Sequence, residues 1–197
     1  MVNSERRKAV PKLSIIIGPP MSGKTTYAQS LLTRGVVHIS VGKICRDEAE
    51  KDTHLGRLLK KSIQENIFLD SKIFLPLILD RKMEDHNIEF ILDGYPKYKH
   101  EVEPLIQYAR NNSITLFRLY CLHVELNELL KRLNERHTCN ACYMPIRGKV
   151  QCICGGAPFK REEDTEAYFL ERYARYRDHV EAILNQLPAY FTEVIHV

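Results

Sequence analysis

The stretch GPPMSGKT, residues 18–25, constrains this chain more than any other. Its spacing is G-x-x-x-x-G-K-[ST], directly after the apolar run LSIII at 13–17 and directly before a helical stretch from Lys24 to about Arg34. A strand that enters a glycine turn and opens a helix aims successive backbone N–H groups inward. The helix N-terminus adds positive potential, so the turn forms a cradle for phosphate. Lys24 supplies a charge for the β- and γ-phosphates, and a following hydroxyl can hold Mg²⁺. The loop points to a nucleoside triphosphate. Asp93 closes another apolar run, FILD at 90–93. It stands where parallel sheets bind their ligands and suits the second carboxylate on the Mg²⁺ side.

The remaining pattern alternates strands and helices. VVHIS (36–40), FILD, TLFRLYCLHV (115–124) and EVIHV (193–197) read as further strands. Leu55, Leu58, Leu59 and Ile63 have helical spacing, SKIFLPLILDRKM (71–83) reads as a helix despite Pro76, and ELNELLKRLNER (125–136) reads as another. A long helix is expected from about Glu166 to Leu187. There Phe169, Tyr173, Tyr176, Val180, Ile183 and Leu187 form one apolar stripe. Strands separated by helices indicate an α/β fold whose parallel sheet is covered on both faces.

With 44% hydrophobic and 27% charged residues, the 197-residue chain reads as one soluble α/β domain with a small insertion. No apolar run approaches the roughly 20 residues that span a bilayer. Residues 1–12 read as a basic flexible tail: Arg6, Arg7, Lys8 and Lys12 face only Glu5. Without that tail the net charge of +4 falls to near neutral, too little for a nucleic-acid surface. The tail lacks the apolar core of a secretory signal, so a reducing, cytoplasmic setting is expected. There, paired cysteines hold metal more often than they form disulfides. Cys121, inside an apolar strand, reads as a small buried hydrophobe, and Cys45 as a passive helix residue.

The cysteine-rich stretch HTCNACYMPIRGKVQCICGG (137–156) interrupts the alternation and reads as an insertion. Cys139 and Cys142 form a C-x-x-C pair at good zinc spacing, whereas Cys152 and Cys154 are one residue tighter. Four thiolates around zinc, three cysteines completed by another ligand such as His137, a disulfide, and a metal-free flap all fit that spacing.

Downstream of the phosphate loop, HISVGKICR (38–46), DGYPK (93–97), LLKRLNER (129–136), KREED (160–164) and FLERYARY (169–176) follow in order. Together they resemble the adenylate kinase family of nucleoside monophosphate kinases over nearly the whole chain after the tail. The resemblance implies a three-layer phosphate-loop NTPase fold with a five-stranded parallel sheet over 13–197, a small helical monophosphate-binding subdomain at about 40–70, and a zinc-ribbon-like lid at about 137–160. It implies reversible transfer of the γ-phosphoryl of Mg·ATP to AMP by a monomer, with structural Zn²⁺ in the lid and neither membrane nor nucleic acid as partner.

On that resemblance, Gly18, Pro19, Pro20, Met21, Ser22, Gly23, Lys24, Thr25 and Thr26 cradle ATP. Arg132 lies against its base and ribose. Lys24, Asp93, Arg136, Arg161 and Arg172 serve the transferring phosphoryl. Ser40, Val41, Gly42, Arg46, Leu69, Gly94, Lys97 and Glu101, with Arg161 and Arg172, meet the acceptor. Glu163 and Asp164 help fix the closed lid, and Cys139, Cys142, Cys152 and Cys154 hold the metal.

The chain departs from the family at several points. Met21 and Thr25 stand where glycine is usual, and Tyr27 where glutamine is common. Val41 and Lys43 replace threonine and aspartate. Lys97 replaces an arginine, keeping charge without the planar two-pronged grip. Glu101 replaces a glutamine that reads the acceptor base. An ionised carboxylate only accepts hydrogen bonds, which suits donor-rich base edges such as those of guanine or cytosine and leaves CMP, GMP or UMP as alternative acceptors. A weakened, nucleotide-responsive zinc protein that binds RNA or a partner is the competing class. The retained arginines weigh against it, since a binding module has no need of so many charges around one phosphoryl. A small kinase for non-nucleotide hydroxyls leaves the DGYPK and lid motifs unexplained.

Overall fold

A computed structural model describes residues 10–33, 35–65, 70–83, 89–147 and 151–197. Residues 1–9 of the basic tail, Arg34 and Leu69 lie outside them. In chain order the elements are β1 (Lys12–Ile17), α1 (Lys24–Ser30), β2 (Val36–Ser40), α2 (Val41–Ala49), α3 (His54–Glu65), α4 (Ser71–Met83) and β3 (Glu89–Asp93). A short 3₁₀ turn (Lys99–Glu101) then precedes α5 (Val102–Asn111), β4 (Thr115–Cys121) and α6 (Leu126–Glu135). The chain ends with β5 (Arg136–Cys139), β6 (Pro145–Arg147), β7 (Pro158–Phe159), α7 (Glu166–Gln186), a second 3₁₀ turn (Leu187–Tyr190) and β8 (Glu193–His196).

The five expected core strands form one parallel sheet in the order β2-β3-β1-β4-β8. Side chains alternate across a strand, so β1 divides its residues between two layers. Leu13, Ile15 and Ile17 join Phe90, Leu92 and Leu119 in a large core with α4, α5 and α7. Ile16, on the opposite face, packs with Ile91 and Tyr120 against Ala28 of α1. Each fully buried Leu or Ile contributes about 1.5–3 kcal/mol, so this two-sided burial makes the sheet the rigid base of the molecule.

Because all five strands run the same way, their carboxyl ends share one edge. β1 exits there into the phosphate loop, β2 into α2, and β3 into the Asp93–Gly94 turn. In register, Asp93 lies beside both Ile16 and Ser40. The chain leaves β1 toward β2 on one side and later reaches β4 on the other, a switch point where open α/β sheets bind ligands.

Two helices, α1 and α5, differ from the sequence pattern, whereas α4 meets it. α1 stops at Ser30, because Leu31 and Leu32 donate to the carbonyls three residues back and close the last turn. α4 keeps Pro76 in its interior. Phe74, Leu75, Ile78 and Leu79 are buried around that residue, and their packing outweighs the lost backbone bond. α5 is an element the strand–helix reading leaves unassigned, although Val102, Leu105, Ile106 and Ala109 carry a helical apolar spacing. The α7 stripe serves two partners. Phe169 and Tyr173 pack on Leu129 and Leu133 of α6, whereas Tyr176, Val180 and Ile183 join the main core.

The cysteine-rich insertion is a separate three-stranded antiparallel sheet, β6-β5-β7. It starts at Arg136, where α6 gives way to an extended backbone.

Candidate active site

A cleft of about 1470 Å³ opens over the carboxyl edge of the sheet. Its floor is the phosphate loop. Gly23 has φ 92°, a left-handed conformation that glycine adopts without strain, and it places α1 with its N-terminus facing the cleft. Gly18 must also lack a side chain: a Cβ there would lie 2.8 Å from Ser22 Oγ and 3.0 Å from Leu122 Cβ. Met21, a non-glycine residue, nonetheless holds φ 64°.

Lys24 folds back over the loop, its Nζ donating to Gly18 O at 2.9 Å and Pro19 O at 2.7 Å. Burial pushes its amine down to about 8 against the opposing pull of Asp93, and Arg172, Lys97 and Arg136 push it further down. Thr25 Oγ1 donates to Asp93 Oδ2 at 2.6 Å, while Thr26 is exposed at the rim. The hydroxyl beside the strand-end carboxylate is therefore that of Thr25. Burial alone would raise the Asp93 pKa. The His38 hydrogen bond, the Lys24 charge and the Thr25 hydroxyl outweigh it and hold the carboxyl below its usual range.

His38 is a contact that the motifs do not reveal. Gln29 Nε2 donates to His38 Nδ1 at 2.8 Å, which leaves the ring proton on Nε2, 3.3 Å from Asp93 Oδ2. The available signal was its place at the head of the HISVGKICR motif, two residues before Ser40 and so on the same face of the strand.

The arginines converge as their motifs imply. Arg132 Nε pairs with Glu128 at 2.8 Å, and its guanidinium donates to Ser22 O of the loop at 3.1 Å. Arg136 contacts Met21 Sδ at 3.2 Å and buried Asp164 at 3.5 Å. Arg46, Arg161 and Arg172 line the same cleft. Burial, then Arg136 and Arg46, bring the Arg161 guanidinium down to about 10. Burial also lowers Arg172 and Arg46, with Arg136 adding to the effect on each. Arg46, Arg136 and Arg161 each keep a buried Nε without a hydrogen-bond partner among the described residues. Buried donors left unpaired and crowded by like charges are the mark of a site built for an anion.

Ser40, Gly42, Gly94 and Lys97, the residues expected to meet the acceptor, line the same cleft. Lys97 reaches solvent but stands deep within the cleft, where desolvation and then Arg172 depress its amine. Val41, expected to meet the acceptor, turns instead into the main core and is not among the residues that line the cleft. Glu101 is buried, and its Oε2 accepts from Lys97 N at 2.5 Å and Tyr98 N at 2.9 Å. Burial raises its pKa; these two N–H donors and the nearby Lys97 charge work in the other direction.

The four cysteines of the insertion come together, with all four Sγ atoms within 4.8 Å of one another. Cys139 and Cys154 Sγ are 3.4 Å apart, and Cys142 and Cys152 Sγ 3.7 Å. Those separations far exceed an S–S bond and approach the edge of about 3.8 Å that a tetrahedron of sulfurs at zinc bond length would have. The tight C-I-C pair works because the chain folds back on itself. Gly155 N donates to Cys152 O at 2.8 Å and Cys152 N to Gly156 O at 3.0 Å, with Gly155 at φ 84°. This turn throws Ile153 outward and swings Cys154 to Cys139. Backbone N–H groups of Cys142 and Ala141 point at Cys139 Sγ, helping to lower that thiol to about 6. His137 lies outside the cluster, its Nδ1 3.1 Å from Glu135 O.

A phosphate loop at the switch point of a five-stranded parallel sheet, faced by converging cations, defines a phosphate-loop α/β protein that handles nucleotides. The adenylate kinase family model matches residues 16–194. An adenylate kinase of Thermococcus onnurineus is 30% identical over 179 residues, covering 86% of this chain and 80% of the relative. One of Pyrococcus furiosus is 30% identical over 179 residues, 86% of this chain and 81% of the relative. One of Streptomyces avermitilis is 28% identical over 186 residues, 89% and 84% of the two chains. The chain belongs to the adenylate kinase family of nucleoside monophosphate kinases. Among the described residues no helix is long and apolar enough to cross a membrane.

Proposed function

We propose that this chain reversibly transfers the γ-phosphoryl group of Mg·ATP to AMP. One observation carries the reading: Lys24, Lys97, Arg46, Arg136, Arg161 and Arg172 share a single cleft, and three of them keep buried N–H groups without a partner among the described residues. An acceptor phosphate is already anionic near neutral pH, so the reaction needs positioning and positive charge more than a strong base. The phosphate loop and Lys24 would hold the β- and γ-phosphates, and Arg46 and Lys97 the acceptor phosphate. Arg136, Arg161 and Arg172 would stabilise charge on the migrating group. Mg²⁺ brought with the nucleotide would neutralise charge across the β- and γ-phosphates, and Thr25 Oγ1 with Asp93 are the groups placed to hold it.

Zinc is the metal that four clustered thiols suit best. Held by Cys139, Cys142, Cys152 and Cys154, it would give the small lid a rigidity that its few buried side chains do not supply. The lid would then act as a hinged cover that excludes water and carries Arg136 and Arg161 over the phosphates.

Glu101 favours an amino base as acceptor. Two backbone donors already occupy Oε2, leaving Oε1 as the free acceptor. A two-pronged grip on guanine N1–H and N2–H would need both oxygens, whereas one oxygen suffices for the exocyclic amine of adenine or cytosine. AMP is the first reading and CMP the second. The test is ADP formation from Mg·ATP with AMP, CMP, GMP and UMP in turn. Turnover should be greatest with AMP; preference for GMP would overturn the base assignment, and no turnover with any acceptor would overturn the kinase reading.

A further inference from the structure

On the kinase reading above, we propose that Tyr143 of the lid is a positioning residue for the acceptor phosphate, acting through Arg46. Tyr143 directly follows Cys142 and adopts φ 59°, a left-handed backbone that side chains seldom take. Two clasps hold it there: Tyr143 N donates to Cys139 O at 3.1 Å, and Cys139 N to Met144 O at 2.9 Å. Phe159 of β7 packs edge-on against the ring at 6.5 Å. So placed, the ring reaches across the cleft to α2, 5.5 Å from Lys43 Nζ and 5.7 Å from Arg46 Cζ. Both cations fall within the range at which an aromatic face attracts positive charge.

Glu163 and Asp47 attract Arg46, but few contacts among the described residues fix the plane of its guanidinium. Its guanidinium lies against Gly42, where a Cβ would come within 3.3 Å of one terminal nitrogen, and its buried Nε has no hydrogen-bond partner among the described residues. An arginine held over an aromatic ring by its charge does not commit its N–H groups to a hydrogen-bond acceptor there, and those are the donors that grip phosphate. Tyr143 therefore sets the orientation of Arg46 without touching the acceptor, and Lys43 gives the ring a second cation. The cysteine knuckle gains a task on the acceptor side as well as over ATP: it determines where Tyr143 stands.

The chain contains no tryptophan, so Tyr143→Trp introduces a single fluorophore at the contact while keeping an aromatic face. Its emission should shift when Lys43→Ala is added. Superimposable spectra would overturn the proposed contact whether or not the chain turns over any acceptor, which keeps this test separate from the kinase reading. In steady-state assays Tyr143→Leu should raise KM for AMP about 3- to 10-fold, the range that one or two cation–π contacts support. KM for ATP and kcat should stay within about 2-fold, and Tyr143→Phe should restore the AMP value. Equal rises in both KM values, or a phenylalanine variant as impaired as leucine, would reduce Tyr143 to a structural part of the lid and refute the assignment.

Discussion

Lys24 must gain a proton when ATP binds under mildly alkaline conditions. Its amine sits near 8 in the free protein because burial outweighs the attraction of Asp93, with Arg172, Lys97 and Arg136 adding repulsion. Two phosphate groups arriving beside it reverse that balance and favour the ammonium. With the free value about 8, roughly three-quarters of Lys24 is neutral at pH 8.5 and about a tenth at pH 7. The sign follows: the bound state holds more protons than the free state, so affinity falls as pH rises past 8, by up to about tenfold per pH unit. Calorimetric titration with ATP at pH 8.5, in two buffers of different ionisation enthalpy, should report uptake of about 0.75 proton per nucleotide. Lys24→Arg keeps the charge with a guanidinium that stays protonated, so the uptake should collapse toward zero even if affinity weakens. A buffer-independent enthalpy for the unmodified chain, or an unchanged uptake in Lys24→Arg, would refute the reasoning.

Gly156→Ala would bring a Cβ to 2.3 Å from Cys139 Sγ, so the sulfur must move by about 1 Å, several times the ±0.2 Å that a metal site tolerates. Purified variant should carry far less than one zinc per chain and expose four reactive thiols; full zinc occupancy would show that the lid absorbs the clash. Glu101→Gln removes a buried carboxylate whose pKa is raised by burial. A folded-state value above the unfolded one means the group's stabilising contribution is complete at acid pH and lost as pH rises through the folded value. The glutamine variant should therefore melt higher at pH 8, with the gap narrowing as pH falls; a constant gap would point to another cause. Met21→Gly relieves a left-handed backbone worth about 1–2 kcal/mol, offset by about 0.5–1 kcal/mol of added chain entropy. Chemical denaturation should find stability changed by no more than about 1 kcal/mol. A loss beyond about 2 kcal/mol would mean that the Met21 contacts to Arg136 and the α6 side chains dominate.

The sequence carries much of the fold because strand, loop and helix signals here are local. GPPMSGKT needs only its neighbours to form, and the α7 stripe needs only its own spacing. Strand order is not local: β2 lies beside β3 instead of β1, a choice made by how crossovers pack on the sheet. α5 was legible in Val102, Leu105, Ile106 and Ala109, but the short DGYPK–3₁₀ connection before it contains no clear start signal. In the site, the motif residues of the cleft announce themselves by type and position. His38 and Tyr143 do not, since each acts only through a partner distant in sequence: Asp93 for the first, Lys43 and Arg46 for the second. The C-I-C spacing was ambiguous for a similar reason. It becomes a workable knuckle only through the turn that Gly155 and Gly156 allow.

The same division explains why the cleft is chemically poised before any nucleotide arrives. The fold holds Lys24, Arg46, Arg161 and Arg172 where burial and mutual repulsion disfavour their charges. Among the described residues the acids set against them are Asp93, committed to Thr25 and His38, Asp164 and Glu163 near Arg136 and Arg161, and Asp47 near Arg46. Phosphates relieve repulsion and unpaired donors together, so their binding is strongest where negative charge is most concentrated. During transfer that place is the space between donor and acceptor, and cations already oriented around it need little reorganisation as the phosphoryl group moves. Losing Arg161 or Arg172 should therefore depress kcat more than it weakens binding of either nucleotide alone, whereas losing Arg46 should chiefly raise KM for the acceptor.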